Sequence, residues 1–374
     1  MKYKFSPNVS EKNIKFVKII DKISLFFKKR TNVKSVDINK IAIVQLAHIG
    51  DLILLLPAIK KLKVANTYKI ILVVSSQNYL IASRLKFVDE VVVVDAPYFS
   101  RNKKISYWKF ISQLRKIKTD LIFDVRADLR NNFFINFFTK AKLFIGYGVG
   151  GGAAFLDIVL EFKHGGHTSD LFDPLFEYLK LPQTSLADFW DTNDIPYDNV
   201  DDIDFPEKFM VVHLGTGAQS KKWPIQNFVQ TIKAISDSIP VFVLGIKQDA
   251  TDDDLEEISR IKNVTNCVGK YSILQSIYIL KRCSCFLGLD SGFSQIAGLL
   301  KKKTFVLFSG TTDVNIWKPY SFYEGQVLLI NHDVPCNHIT GCGKQICGDN
   351  ICMKLINPIE VISLIKANVS IVSI

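Results

Sequence analysis

Ile41-Ala-Ile-Val-Gln-Leu-Ala-His-Ile-Gly-Asp-Leu-Ile-Leu-Leu-Leu-Pro57 is the stretch on which the fold turns. Ile41 to Leu46 is a short apolar run rich in β-branched residues, the pattern of a strand covered on both faces within a parallel sheet. Gly50 reads as punctuation, a residue that lets the backbone turn sharply or approach a ligand. Asp51 then falls at the start of a new apolar segment, Leu52 to Leu56, which reads as a helix. The turn therefore lies at a strand's carboxyl end, the edge where open α/β sheets bind ligands.

Outward from this unit, Tyr68 to Ser75, Val91 to Asp95 and Asp120 to Val125 read as further strands. Amphipathic segments separate them, notably Ser106 to Ile117, so the first 150 residues alternate strand and helix as a doubly wound sheet does. Gly146-Tyr-Gly148-Val-Gly-Gly151 matches the dinucleotide fingerprint in form only, lying late in the domain with no acidic residue closing a second strand. It reads as a flexible glycine loop. Around Leu181 to Asp204 the composition shifts to Pro, Asp, Asn and Gln, marking a linker. Phe209 to Leu214, Val241 to Gly245, Cys285 to Gly288 and Thr304 to Phe308 are strands of a second domain, with a helical pattern from Ile225 to Ile235. The expected organisation is an extension at 1–40, domains at 41–200 and 205–356, and a tail helix at 357–374.

A chain of 374 residues, 48% hydrophobic, can bury a core in each of two domains. No apolar run spans a membrane without burying ionisable groups, and residues 1–30 place lysines throughout their apolar stretch with no cleavage site, so a cytoplasmic protein is expected. The net charge of +11 is uneven: residues 1–40 hold eleven basic and three acidic side chains, or +8 of it. Within this tail Phe16, Ile20, Ile23 and Phe27 share helical spacing among lysines. One reading is a helix lying on an anionic membrane surface at the cytoplasmic face of the inner membrane; the other is a helix packed on the first domain, or a solvated tail. Nucleic acid is not an expected partner, because the body is nearly neutral and holds no binding module.

Three turns that follow strands carry the candidate chemistry: Gly50-Asp51, Thr216 to Trp223, and Leu289-Asp290-Ser-Gly292. Asp290 or Ser291 would cap the helix from Phe293 to Leu300, whose free amides would face an anion such as a pyrophosphate. Lys221 or Lys222 would add a compact positive charge. Each has a plainer reading. Asp51 and Asp290 are good helix caps, the lysines suit a solvated surface, and His48 and His213 serve equally as structural histidines or as a second base.

His48-Ile-Gly-Asp-Leu-Ile-Leu-Leu-Leu-Pro57, His213-Leu-Gly-Thr-Gly with Ser220-Lys-Lys-Trp-Pro224, and Gly288-Leu-Asp-Ser-Gly-Phe-Ser-Gln-Ile-Ala297 together resemble the blocks of glycosyltransferase family 9, the ADP-heptose:lipopolysaccharide heptosyltransferases. Weaker agreement continues to Trp317 and Pro319 and through Cys352 to Pro358, so the resemblance covers roughly residues 41–366. It implies an α/β GT-B fold, two Rossmann-like doubly wound domains facing a cleft. It also implies an inverting transfer without metal or cofactor, from a nucleotide-sugar donor such as ADP-heptose to a lipid-linked glycan acceptor. Asp51 would be the general base and Lys221 would steady the leaving diphosphate. Gly50, Thr216, Lys222, Asp290, Ser291, Gly292, Gln295 and Thr311 would line the donor. Two rivals are the same fold acting on another nucleotide sugar and a catalytically silent sugar-nucleotide-binding protein.

The chain departs from the family at Gln295, where histidine is common; glutamine exchanges hydrogen bonds but carries no charge. Of the seven cysteines, Cys267, Cys283 and Cys285 read as buried, while Cys336, Cys342, Cys347 and Cys352 cluster near His332 and His338. Their spacing fits no known zinc knuckle, so reduced structural thiols are the expectation and a metal site the alternative.

Overall fold

Strands buried on both faces must be covered by helices on both sides, and the chain meets that demand twice. The computed structural model describes residues 11–24, 36–65, 67–99, 105–163, 165–182, 185–334, 342 and 347–369. It divides into two compact units, residues 1–194 and 195–374, so the division falls inside the linker stretch.

The first unit opens with α1 (Glu11–Ser24) and continues through β1 (Lys40–Gln45), α2 (Ile49–Ala65), β2 (Lys69–Val74), α3 (Tyr79–Ala82) and β3 (Glu90–Val93). Then follow α4 (Tyr107–Leu114), β4 (Lys118–Asp124), α5 (Leu129–Phe138), β5 (Lys140–Gly146), β6 (Ile158–Val159) and α6 (Asp173–Tyr178). The strands form one parallel sheet in the order β3-β2-β1-β4-β5-β6. In the second unit come β7 (Met210–His213), α7 (Ile225–Ser236), β8 (Val241–Leu244), α8 (Asp252–Arg260), β9 (Val264–Asn266), α9 (Ile273–Arg282) and β10 (Cys285–Leu289). It closes with α10 (Gly292–Leu299), β11 (Lys303–Leu307), α11 (Val314–Trp317), β12 (Val327–Ile330), α12 (Ile351–Lys354) and α13 (Pro358–Asn368), which packs on α7.

The second sheet runs β12-β11-β10-β7-β8-β9. Counted from its own first strand, each sheet has the order 3-2-1-4-5-6, the Rossmann arrangement. That order reverses direction between the first and fourth strands, and at this switch point the connections leave to opposite faces and open a crevice. The pairs are β1 with β4, in register from Ile41 opposite Leu121, and β7 with β10, from Met210 opposite Cys285.

Helix α2 is buried around most of its circumference from Leu52 to Ile59, which is why its sequence shows an apolar run and no helical stripe. In the second unit the indole of buried Trp223 donates to the carbonyl of Ile356 (3.0 Å), tying the segment after β7 to the C-terminal helices.

Two expectations are corrected. Gly50 is not a turn: it lies inside α2 and is not among the described glycines with positive φ. The glycine loop after β5 is packed rather than flexible. Gly152 has φ +80°, and its N–H donates to the buried carboxylate of Asp21 at 2.6 Å. A Cβ at Gly150 would fall 1.7 Å from the carbonyl oxygen of Ala127, so only glycine fits there.

The same contact docks α1. Val17 and Asp21 face the loop, Ile20 is half-buried, and Phe16, Ile19 and Ile23 remain exposed; Phe27 lies outside the described residues. None of the described helices is long and apolar enough to cross a membrane.

Candidate active site

The segment between β1 and α2 is fixed before any side chain reaches a substrate. The Ala47 carbonyl accepts from the Gln77 and Asn78 side chains (2.9 and 2.8 Å) and, at 3.4 Å, from the Ser75 hydroxyl, all beyond the end of β2. The Ala47 N–H donates to Gln45 Oε1 at 3.1 Å. Asp51 therefore projects from an anchored turn. It is not the N-cap: the helix starts at Ile49, and Asp51 sits in its first turn with Oδ2 accepting the His48 N–H at 3.1 Å. That reach back to the backbone, with the negative charge at the helix N-terminus, fixes the carboxylate's rotamer. Its other oxygen, Oδ1, faces the Arg126 guanidinium at 3.9 Å.

Arg126 went unread in the sequence. It follows β4, on the other side of the switch point from Asp51, and its guanidinium lies over the Phe99 ring, 4.9 Å from the centroid. Its backbone N–H donates to Asp124 Oδ1 at 3.1 Å. The one available signal was the charged run Asp124-Val-Arg-Ala-Asp-Leu-Arg130 at a strand's carboxyl end, the rule that singled out Asp51.

Asp124 is fully buried, and neither its Oδ2 nor the neighbouring Asn131 Nδ2 has a hydrogen-bond partner. Burial pushes its carboxyl up to about 7, against the lowering effect of the Arg126 N–H. The folded state therefore holds a proton that the unfolded state has released between the ordinary carboxylate range and pH 7. Stability from this group is present at low pH and is lost as pH rises through that window, by at most about 1.4 kcal/mol per unit. Denaturant midpoints at pH 5 and pH 7 are expected to show this fall in the wild type and a shallower one in Asp124→Asn; equal slopes would remove Asp124 as the source.

In the second unit β7 leads through Gly215 and Thr216 into a tight turn at Gln219–Lys221, and β10 leads directly into Asp290. The two segments meet at Asp290. Its carboxylate pairs with the Lys221 ammonium and accepts the Thr312 hydroxyl at 3.0 Å, both at Oδ2. Its backbone carbonyl accepts the Thr216 hydroxyl at 3.2 Å. Asp290 does not cap α10. Ser291 occupies the N-cap position, its hydroxyl buried and without a hydrogen-bond partner, and Gly292 begins the helix.

Around this knot, His213 ends β7 and stacks on Phe293 at 4.3 Å, nearly parallel. Burial pushes its imidazole down to about 4, opposed by the backbone of Gly215, so it is neutral near pH 7. That suits neither a cationic phosphate contact nor a strong base. Gly215 is tight: a Cβ there would meet Asp249 Oδ2 at 2.4 Å.

The remaining predicted residues are less central. Gln295 is buried, donates to the Trp317 carbonyl at 2.8 Å and keeps Oε1 unpartnered. Thr311 is buried and shares a hydrogen bond with Ser309 (2.6 Å), while its neighbour Thr312, which sequence reasoning passed over, reaches Asp290. Lys222 holds Asn350 through its carbonyl at 2.7 Å.

Buried polar atoms are normally paired, and each exception costs about 1–3 kcal/mol. Among the described residues eight such side-chain atoms lack a partner. They belong to Asn78, Asp124, Asn131, Asn132, His213, Ser220, Ser291 and Gln295; Asp124 and His213 end their strands, and the others lie in the turns and helices that follow β2, β4, β7 and β10.

For the cysteines, Cys267, Cys283 and Cys285 are buried free thiols, and burial raises the first two to about 11 and 12. Cys336 and His338 lie outside the described residues. Cys347 Sγ accepts the Asn350 N–H (3.3 Å), Cys352 packs beside Asn350, and His332 pairs with Glu360. No group of three or more metal-binding side chains occurs among the described residues.

Residues 107–346 match the model of glycosyltransferase family 9 (heptosyltransferase). Comparison with curated protein sequences gives no match. Among solved structures, the chain resembles E. coli heptosyltransferase WaaC with ADP at 17% identity and TM-score 0.66, over 88% of this chain and 100% of that one. The glycosyl transferase family 9 structure from Veillonella parvula gives 15% and 0.67, over 89% and 97%. E. coli ADP-heptose lps heptosyltransferase II gives 16% and 0.63, over 88% and 98%. At these identities the likeness is one of fold: two Rossmann-like domains of the GT-B type.

Proposed function

The chain belongs to glycosyltransferase family 9, and from that premise we propose that it transfers a heptose or related sugar from a nucleotide diphosphate to a lipopolysaccharide-type glycolipid, with inversion. ADP-heptose is the first donor to test. The acceptor hydroxyl oxygen attacks the anomeric carbon, its proton passes to the Asp51 carboxylate, and the carbon–oxygen bond to the diphosphate breaks with its electron pair going to the leaving group. Because the transition state carries positive charge on the sugar and negative charge on the diphosphate, the reaction needs a base and an opposing cation, without a cofactor. Lys221, held by Asp290, supplies a charge already in position, so no reorganisation is needed as the leaving group forms. The start of α10, with the Ser291 hydroxyl and the Gly292 amide, adds donors for the phosphates.

The observation that carries this reading is the Lys221–Asp290–Thr312 knot at the switch point of the second sheet, beside the unpartnered Ser291 hydroxyl. Gln295 favours a variation, the same transfer from a different nucleotide sugar, since its buried Oε1 offers a neutral acceptor where the family commonly places histidine. The basic residues 1–40, with α1 docked on the first unit, would hold the enzyme at the cytoplasmic face of the inner membrane.

The test is nucleoside diphosphate release from a panel of nucleotide sugars with membrane-extracted acceptor, in the presence of a chelator. Turnover with ADP-heptose or another member of the panel is expected. Silence with every donor would remove the transferase reading and leave a binding protein.

A further inference from the structure

The first unit exposes large aromatic side chains that the transfer itself does not use. Trp108 in α4 is 80% exposed, and Phe137 in α5 is 58% exposed. Phe137 belongs to a contiguous group, and Trp108 follows one of its members, Tyr107, along α4. Phe133 lies 4.8 Å from Phe137, both pack against Phe155, and Phe134 reaches Tyr107 at 5.7 Å. Leaving such a surface in water is unfavourable, and soluble monomers seldom keep a large apolar patch without a use for it.

Two neighbouring features say what covers it. Helix α1 packs on the turn Ala153–Phe155, the same turn that carries Phe155, and leaves Phe16, Ile19 and Ile23 exposed on its outer face. The exposed charges nearby are mainly basic: Lys109 is the lone charged residue of α4 and α1 exposes Lys12, Lys15, Lys18 and Lys22, while Arg130 of α5 is paired with Asp128 at 2.6 Å. Lysine is depleted at protein–protein interfaces, because desolvating an ammonium is expensive, but is favoured where its stem lies on apolar surface and its head meets phosphate. Tryptophan has the matching preference for a boundary that is apolar on one side and wet on the other.

The aromatic group is also joined to the proposed base. Arg126, which faces Asp51, lies over Phe99; Phe99 contacts Tyr98 at 4.9 Å, and Tyr98 stacks on Phe134 at 6.1 Å. A molecule with a sugar at one end and acyl chains at the other could follow this row from Asp51 to the exposed rings.

We propose that α4 and α5, together with the outer face of α1, form one docking surface for an anionic lipid bilayer. The aromatic side chains enter the headgroup boundary and the lysines lie against lipid phosphates. A lipid-linked acceptor then presents its terminal sugar to Asp51 without leaving the membrane. The acceptor half of this statement rests on the transferase reading above; the bilayer half does not.

The experiment uses the full chain and the variant Trp108→Ser/Phe137→Ser, with vesicles of phosphatidylcholine alone or mixed with phosphatidylglycerol. The wild type is expected to bind the mixed vesicles, to bind them less as salt rises, and to shift its tryptophan emission to shorter wavelength. The variant is expected to bind at least about tenfold more weakly, as losing two partly inserted aromatic rings implies. Trp108→Phe should retain binding while losing the emission shift. With acceptor sugar freed of lipid, the variant should turn over as the wild type does, whereas with acceptor in vesicles it should fall in step with binding. Unchanged vesicle binding by the variant would overturn the proposal. So would a wild-type dimer that the variant abolishes without affecting vesicles, because the face would then belong to a second copy. Absence of turnover in both proteins, with the binding difference intact, would count against the transferase reading alone.

Discussion

Asp51→Asn is expected to lower the rate constant for transfer by about 10²–10⁴-fold, the usual contribution of a positioned general base. The substitution keeps size and shape. An amide oxygen still accepts the His48 N–H, so the first turn of α2 stays in place and the melting temperature should move little. What disappears is the ability to take a proton, together with the carboxylate's attraction to Arg126. Donor affinity should hold, since the residues assigned to the donor, apart from Gly50, lie in the second unit. Single-turnover rates and nucleotide binding measured on the same preparations separate these effects. A variant that turns over like the wild type would remove Asp51 as the base and leave it a helix-terminus charge.

Lys221→Met is expected to be nearly as damaging to transfer, about 10²–10³-fold, the range seen when one preorganised charge at a developing anion is lost. Its structural cost differs in kind. Asp290 is only 8% exposed, and removing its partner leaves a buried carboxylate supported by the Thr312 hydroxyl alone, at a cost of up to about 3 kcal/mol. The double variant Lys221→Met/Asp290→Asn relieves that burden. It should recover most of the stability by denaturant unfolding while transfer stays low. If the double variant regained transfer along with stability, the lysine would be a structural partner and nothing more.

The strands were legible because a parallel strand buried on both faces must be a short apolar run, and β1, β2, β4, β7, β8, β10 and β11 read that way; the partly buried β3 was legible from its run of valines. Four strands were missed for the complementary reason. β5 begins Lys-Ala-Lys and is exposed over its first half; β6 and β9 are two and three residues long; β12 is a half-buried edge strand. Helix α5 was missed because Leu-Arg-Asn-Asn-Phe-Phe-Ile-Asn-Phe-Phe has almost no helical periodicity, its rings facing both the core and the surface.

Gly50 misled because glycine's freedom to turn sharply points to a break in the chain, although the first turn of a helix also tolerates it. The residues of the site were readable one at a time but their partnerships were not. Lys221 and Asp290 are 69 positions apart, and only the adjacency of β7 and β10 brings them together. Arg126 and Thr312 each acquire meaning from a neighbour distant in sequence, which no local pattern announces.

The recurrence of one strand order in both sheets has a consequence for how such a protein can change. Asp51 and Arg126 depend on connections after β1 and β4, and Lys221 and Asp290 on connections after β7 and β10, each set supported by its own core. Insertions, deletions or wholesale exchange of the loop after β4 would alter what the first sheet grips without touching a bond around Asp290. On the proposed assignment of acceptor to the first unit and donor to the second, a lineage could trade acceptors while keeping its sugar supply, or the reverse, and chimaeras joined near residue 194 would inherit one preference from each parent.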